Sequence, residues 1–367
     1  MISKEIKSLT GIRGLAALYV IIYHWDAEIS KNLQLSNSIT IDTSLKTFLE
    51  HGYLSVDLFF ILSGFVLSMS SYKIFHDRIS LNDYRSFMYK RFSRIFPLYL
   101  SITLVYFLMF HQQSRINLAI NFTLLQGIIH NFNNSIIPPG WSLTNEWIIY
   151  FIFPFFLFYS LKIQKIWILI LISLSILLLI SSIRNQHLNW GNYSSLTDMH
   201  GFNPTISFTR GPASFLRTIS AYFLGIFAFL YYKKSKDNSH LKYVIIPSFL
   251  LLFFNKTDIL IILSMPFLII YLTKTNLINR FLSSNVIYFL GLISYSLYVN
   301  HYIFIKTYSN VSNLIGVDSN ALSFWYVLIG TLMFSSMTYY LIEKPGMLLF
   351  KTIRLKINNL QVAGRNS

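Results

Sequence analysis

The sequence predicts an all-α, polytopic integral membrane protein, and three observations carry that prediction. Of its 367 residues 54% are hydrophobic and only 12% are charged, about half the roughly 25% charged fraction of a soluble domain. Several runs, such as Ile166 to Ile180 with its flanks and Phe324 to Ile342, approach the ~20 apolar residues that cross a bilayer. The lysines and arginines fall in short clusters between those runs, so the formal charge of +16 reads as positive-inside bias and not as a nucleic-acid surface.

Charge then assigns sides. Lys4 and Lys7 precede the first span, Leu9 to His24, and place the N-terminus in the cytoplasm. No small-residue cleavage site follows that span, so it reads as retained and not as a signal peptide. The acidic loop Asp26 to Glu50 faces outward. A second span, Tyr53 to Ser71, leads to a basic inner connector (Lys73, Arg78, Arg85, Lys90, Arg91, Arg94), and a third, Ile95 to Phe110, returns outward. Leu118 to Ile129 is too short to cross and suits a re-entrant or interfacial piece. With that segment kept outside, the next span, Ser142 to Leu161, ends at Lys162 and Lys165, and every later basic cluster falls inside. Six more spans run near Ile166 to Ile183, Phe215 to Tyr232, Tyr243 to Phe254, Ile259 to Thr273, Val286 to Lys306 and Leu322 to Ile342. The expectation is ten helices with both termini cytoplasmic: a membrane domain over 1–345 and a short basic cytoplasmic tail over 346–367. The polar outer stretch Arg184 to Pro212 carries Asn189, Trp190, Asn192 and Tyr193, residue types that stack on and hydrogen-bond sugars and also form ordinary interfacial belts.

Ionisable groups inside an apolar layer are costly and mark functional sites by default. They separate by depth into two sets. Arg13, Arg91 and Arg94 lie at the inner end, and His24, Asp57, Glu146 and His301 in the outer half. Arg13 and His24 share one helix, about 16 Å apart along its axis at 1.5 Å per residue. Arg91 and Arg94, three residues apart, share a helical face and suit a phosphate. The outer set suits acid/base work, with Asp57 or Glu146 orienting His24. Gly52, Ser63 and Gly64 suit close helix packing, and Ser142 or Thr144 suits a helix cap. Zero cysteines exclude a thiol nucleophile, a disulfide framework and a thiolate metal site. Nothing in the pattern asks for a metal. The two sets together suit a group handed from a phosphorylated donor inside to an acceptor outside. A transporter or flippase for a lipid-linked saccharide is the alternative, its polar residues lining a proton-coupled path, but the sequence shows no inverted repeat.

Six tracts resemble the bacterial membrane acyltransferase-3 family: Arg13 and His24 in an R-x10-H pattern, VDLFFILSGF (56–65), KRFSRIFPLY (90–99), WSLTNEW (Trp141 to Trp147), YSLYVNH (Tyr295 to His301) and LIEKP (Leu341 to Pro345). They occur in order along the whole chain. The resemblance implies transfer of an acyl group, usually acetyl, from acetyl-CoA to a hydroxyl of an envelope saccharide such as O-antigen, capsule or exopolysaccharide, in the bacterial inner membrane. It implies that His24 deprotonates the acceptor, that Arg13 is essential, that Arg91 and Arg94 hold the coenzyme A phosphates, and that Glu146 lies near the reaction centre. Trp141, Ser142, His301 and Glu343 are further candidates within the matching tracts. Many family members continue into a soluble SGNH-type domain, whereas this chain stops shortly after LIEKP, which implies direct transfer or a separate periplasmic partner protein.

Overall fold

A computed structural model describes residues 5–30, 43–110, 114–129, 135–182, 208–209, 211–235 and 238–363, with side chains to 354. Among the described residues there are helices and turns and no strand. The chain runs α1 (Lys7–Trp25), α2 (Thr43–Glu50), α3 (Ser55–Phe75), α4 (Leu81–Phe110), α5 (Arg115–Phe122), α6 (Gly140–Leu161), α7 (Ile168–Ser182), α8 (Gly211–Lys234), α9 (Lys242–Leu250), α10 (Asp258–Leu272), α11 (Leu277–Leu282), α12 (Asn285–Leu292), α13 (Ser294–Ile315), α14 (Asn320–Thr338) and α15 (Lys344–Ala363). Five helical stretches are long and apolar enough to cross a membrane: Ser44–Phe75, Leu81–Phe110, Gly140–Leu161, Gly211–Lys234 and Asn320–Arg354. The pair α12–α13, bent by 71°, makes a sixth if it is one span. Three shorter apolar helices cover Ile168–Ser181, Lys242–Phe253 and Asp258–Leu272. The chemistry predicted for Arg184 to Pro212, including Asn189, Trp190, Asn192 and Tyr193, lies almost wholly outside the described residues.

Small residues and buried amides hold the helices together, because lipid tails give no hydrophobic drive for one apolar helix to leave them for another. α3 and α8 cross at Gly64 and Gly225. A Cβ on Gly225 would stand 2.8 Å from the Gly64 Cα, so neither position has room for a side chain. α1 meets α12 in the same way, where a Cβ on Gly14 would lie 2.6 Å from the Gly291 nitrogen. Asn145 of α6 donates to Ser214 (3.2 Å) and Thr218 (3.1 Å) of α8. Asn300 of α13 donates to Ser335 (3.2 Å) and Thr338 (2.9 Å) of α14. Each amide satisfies buried hydroxyls on a neighbouring helix, and so fixes rotation as well as contact.

Local chemistry sets several boundaries. Ser319 caps α14 by accepting from the Leu322 amide at 3.2 Å, and Gly316, at φ 72°, ends α13 in the left-handed region that glycine adopts without strain. α5 is about 12 Å long, too short to cross, and the chain turns after it at Leu124, whose φ is 56°. The expected cap at Ser142 or Thr144 is not made. α6 begins earlier, at Gly140, and the Ser142 hydroxyl instead donates back to the Pro139 carbonyl at 3.0 Å. The segment predicted as a tail is helical from Lys344, and its first turns dock on α4. There Tyr89 donates to the Phe350 carbonyl (2.9 Å), and Gly346 lies against Pro97.

Candidate functional site

Two cavities open between α1, α3, α4, α6 and α13, of about 50 and 70 Å³. They share Arg13, Ser63, Glu146 and Tyr295 and so form one cleft. One end is lined by Arg91, Arg94 and Tyr150, the other by Ser142, Ser294 and Tyr298.

The first end is cationic. Arg13 enters from α1, and Arg91 and Arg94 from one face of α4. The Arg91 guanidinium lies over the rings of Phe87 (5.4 Å) and Tyr150 (6.0 Å), and its buried Nε has no hydrogen-bond partner. Among the described residues none of these three arginines forms an ion pair. Glu146 stands between the two ends and accepts from Ser63 (3.2 Å) and Tyr150. Glu146 lies six residues into α6, in the first half of that helix as expected, and it also shares a cavity with Arg13, Arg91 and Arg94, a neighbourhood the sequence does not reveal. Glu343, in a π-helical turn (Tyr339–Glu343) after α14, accepts from Ser296 at 2.6 Å beside the same end.

Toward the other end, Ser142 and Tyr298 are hydrogen-bonded to each other at 2.7 Å. One turn on, His301 is fully buried. Its Nδ1 lies 2.8 Å from the Tyr298 carbonyl and its Nε2 lies 3.1 Å from Nδ1 of His24. The two imidazoles stack with centroids 5.0 Å apart, and the Tyr302 ring meets His24 edge-on at 4.8 Å. His24 is thus partnered by a histidine and not by a carboxylate.

Asp57 lies elsewhere. Both its oxygens are taken by Arg217 of α8, at 2.8 Å from Nε and in a second, shorter bond from Nη2. Arg217 also donates to the Phe208 carbonyl at 3.3 Å, and its guanidinium faces Tyr53 (5.6 Å) and Trp141 (5.9 Å). Both members of the pair are 1% exposed. The candidate Trp141 therefore packs on this ion pair. Nearby, His51 stands 3.3 Å from Asp258 and 2.8 Å from the Leu252 carbonyl. Sequence reasoning missed Arg217, although an arginine near the start of the span expected at Phe215 to Tyr232, at the end expected to face outward, runs against the positive-inside bias and was legible as an anomaly.

Arginines able to hold a polyanion at one end of a narrow cleft and a paired imidazole beyond the other suit transfer between two substrates that do not share a face. No solved structure matches the chain. A similar protein is the acyltransferase MdmB of Streptomyces mycarofaciens, 28% identical over 180 residues that cover 44% of this chain and 42% of that protein. The chain thus spans about two fifths of the length of the curated relative it matches. Residues 6–341, nearly the whole chain, match the acyltransferase-3 family, described as an acyltransferase domain, and the chain therefore belongs to that family.

Proposed function

We propose that this protein is a membrane O-acetyltransferase that takes an acetyl group from cytoplasmic acetyl-CoA and transfers it to a hydroxyl of an envelope saccharide, free or lipid-linked. The single observation that carries this reading is the cleft that Arg13, Arg91 and Arg94 line without an ion pair among the described residues, and whose other end stops at Ser142, Ser294 and Tyr298, one turn of α13 from His301. α1 bears Arg13, which lines the cleft, and His24, which meets His301 beyond its far end, about 16 Å apart along the axis. The proposal includes ten spans with both termini cytoplasmic and a bacterial inner-membrane location, since this topology puts the arginines on the side that supplies the donor.

Arg13, Arg91 and Arg94 fit a nucleotide donor's phosphates, which accept charge-assisted and bidentate hydrogen bonds. Glu146 offsets part of their charge and keeps the cluster from being occupied by any anion indiscriminately. At the far end His24 removes the acceptor's hydroxyl proton, and the resulting alkoxide attacks the thioester carbonyl. The carbon–sulfur bond then breaks, and the departing thiolate takes the proton back from His24. A positioned base of this kind is worth roughly 10²–10⁴ in rate.

The test compares envelope polysaccharide from cells expressing wild-type and His24→Ala proteins by proton NMR, with membrane abundance checked by blot. Acetyl signals lost in the variant at equal abundance are the expected result. Unchanged acetylation with saccharide accumulating on the inner face would replace the transferase with a flippase.

A further inference from the structure

We propose that His301 is a positioning residue that fixes the tautomer of His24 and so makes Nε2 of His24 the nitrogen that takes the acceptor's proton. This rests on the reading of His24 as the base. A peptide carbonyl only accepts. His301 Nδ1 lies 2.8 Å from the Tyr298 carbonyl oxygen, so in the neutral ring Nδ1 carries the hydrogen and Nε2 the lone pair. That Nε2 lies 3.1 Å from His24 Nδ1. A lone pair there requires a donor, so His24 Nδ1 carries its hydrogen and Nε2 is left as the base. The Val20 carbonyl, one turn back on α1, is a second acceptor for the His24 ring.

The relay also has a dead end. Its last member is a carbonyl, so a proton taken up at His24 Nε2 has no onward route through His301. It returns from the same nitrogen to the departing thiolate, which makes His24 base and then acid at one atom. While His24 is protonated, the His301 lone pair accepts a charge-assisted hydrogen bond from it. A proton-coupled transporter would need an outlet that this pair does not provide.

The test uses the full-length protein in liposomes, with acetyl-CoA as donor and the saccharide fraction of the envelope as acceptor, reading thiol release. The chain has no cysteine to add background. His301→Leu, which keeps bulk but removes the acceptor, is expected to lower kcat by about 10² or more with KM for acetyl-CoA unchanged. His301→Gln, whose Oε1 can stand in for Nε2, is expected to stay within about tenfold of wild type, and His301→Lys, a donor only, to be no better than His301→Leu. Wild-type kcat in His301→Leu would mean that the Val20 carbonyl suffices and would overturn the assignment, as would His301→Gln performing no better than His301→Leu at equal folded abundance. If His24→Ala itself keeps wild-type kcat, the base reading fails, and not the tautomer argument alone.

Discussion

Arg217 and the trio Arg13, Arg91 and Arg94 are arginines in the same helical layer, and they are held in opposite ways. Arg217 is enclosed, bonded twice to Asp57, and faced by two aromatic rings. The trio lines a cavity without an ion pair among the described residues, and one of its nitrogens is buried without a partner. Taking a charge out of water is tolerated only when something answers it. Inside the protein Asp57 answers Arg217, which joins α3 to α8. Glu146 lines the trio's cavity but forms no ion pair with it among the described residues, and on the proposed function the rest of the answer arrives with the donor. Partner geometry, and not burial alone, thus separates the arginine that holds the fold from those proposed to hold a ligand.

That contrast can be broken at several points. The largest expected effect is on the cleft side: His24→Ala should lower transfer by about 10²–10⁴ while leaving the melting temperature of the detergent-solubilised protein unchanged. A parallel loss of melting temperature would move His24 to the structural group. Next comes the ion pair. Asp57→Ala should cost about 3–5 kcal/mol of stability by stranding Arg217, and the double replacement Asp57→Leu with Arg217→Met should recover most of it. Thermal denaturation of the two variants beside wild type decides this, and an undisturbed Asp57→Ala would erase the contrast. Arg94→Gln, on the other hand, should raise KM for acetyl-CoA by about tenfold or more, the worth of a hydrogen bond to a charged group, with no loss of stability. The smallest effect sharpens the structural side only. Gly225→Ala should destabilise by about 1–3 kcal/mol through overpacking against Gly64, visible as lower expression and melting temperature with KM intact.

The sequence showed the helical class, several of the apolar runs long enough to span and the order of Arg13 and His24 along one helix, because each of these is local: composition, run length, and rise per residue along one helix. It did not show partners. His24 and His301 are 277 positions apart, and no periodicity ties them; their meeting depends on how α1 packs against α13. The same blindness hid that Glu146 shares a cavity with Arg13, Arg91 and Arg94, and that the partner Asp57 needs is Arg217 and not His24. Gly64 was legible as a packing residue, but Gly225, the other half of that crossing, lies 161 positions on and carries no motif of its own.

The bend between α12 and α13 has a consequence for fidelity. A 71° break at Ile293 leaves first-turn amides of α13 without a carbonyl one turn back, and Ser294 at that point lines the cleft. Backbone in that state is stable within an apolar layer only where protein or water meets it, and a cleft at that point gives water a place beside the substrate. On the proposed chemistry, a thioester held there would face two competing nucleophiles, the acceptor hydroxyl and water. The expected signature is a slow leak of free acetate and thiol when no saccharide is present, suppressed as the acceptor fills the cleft.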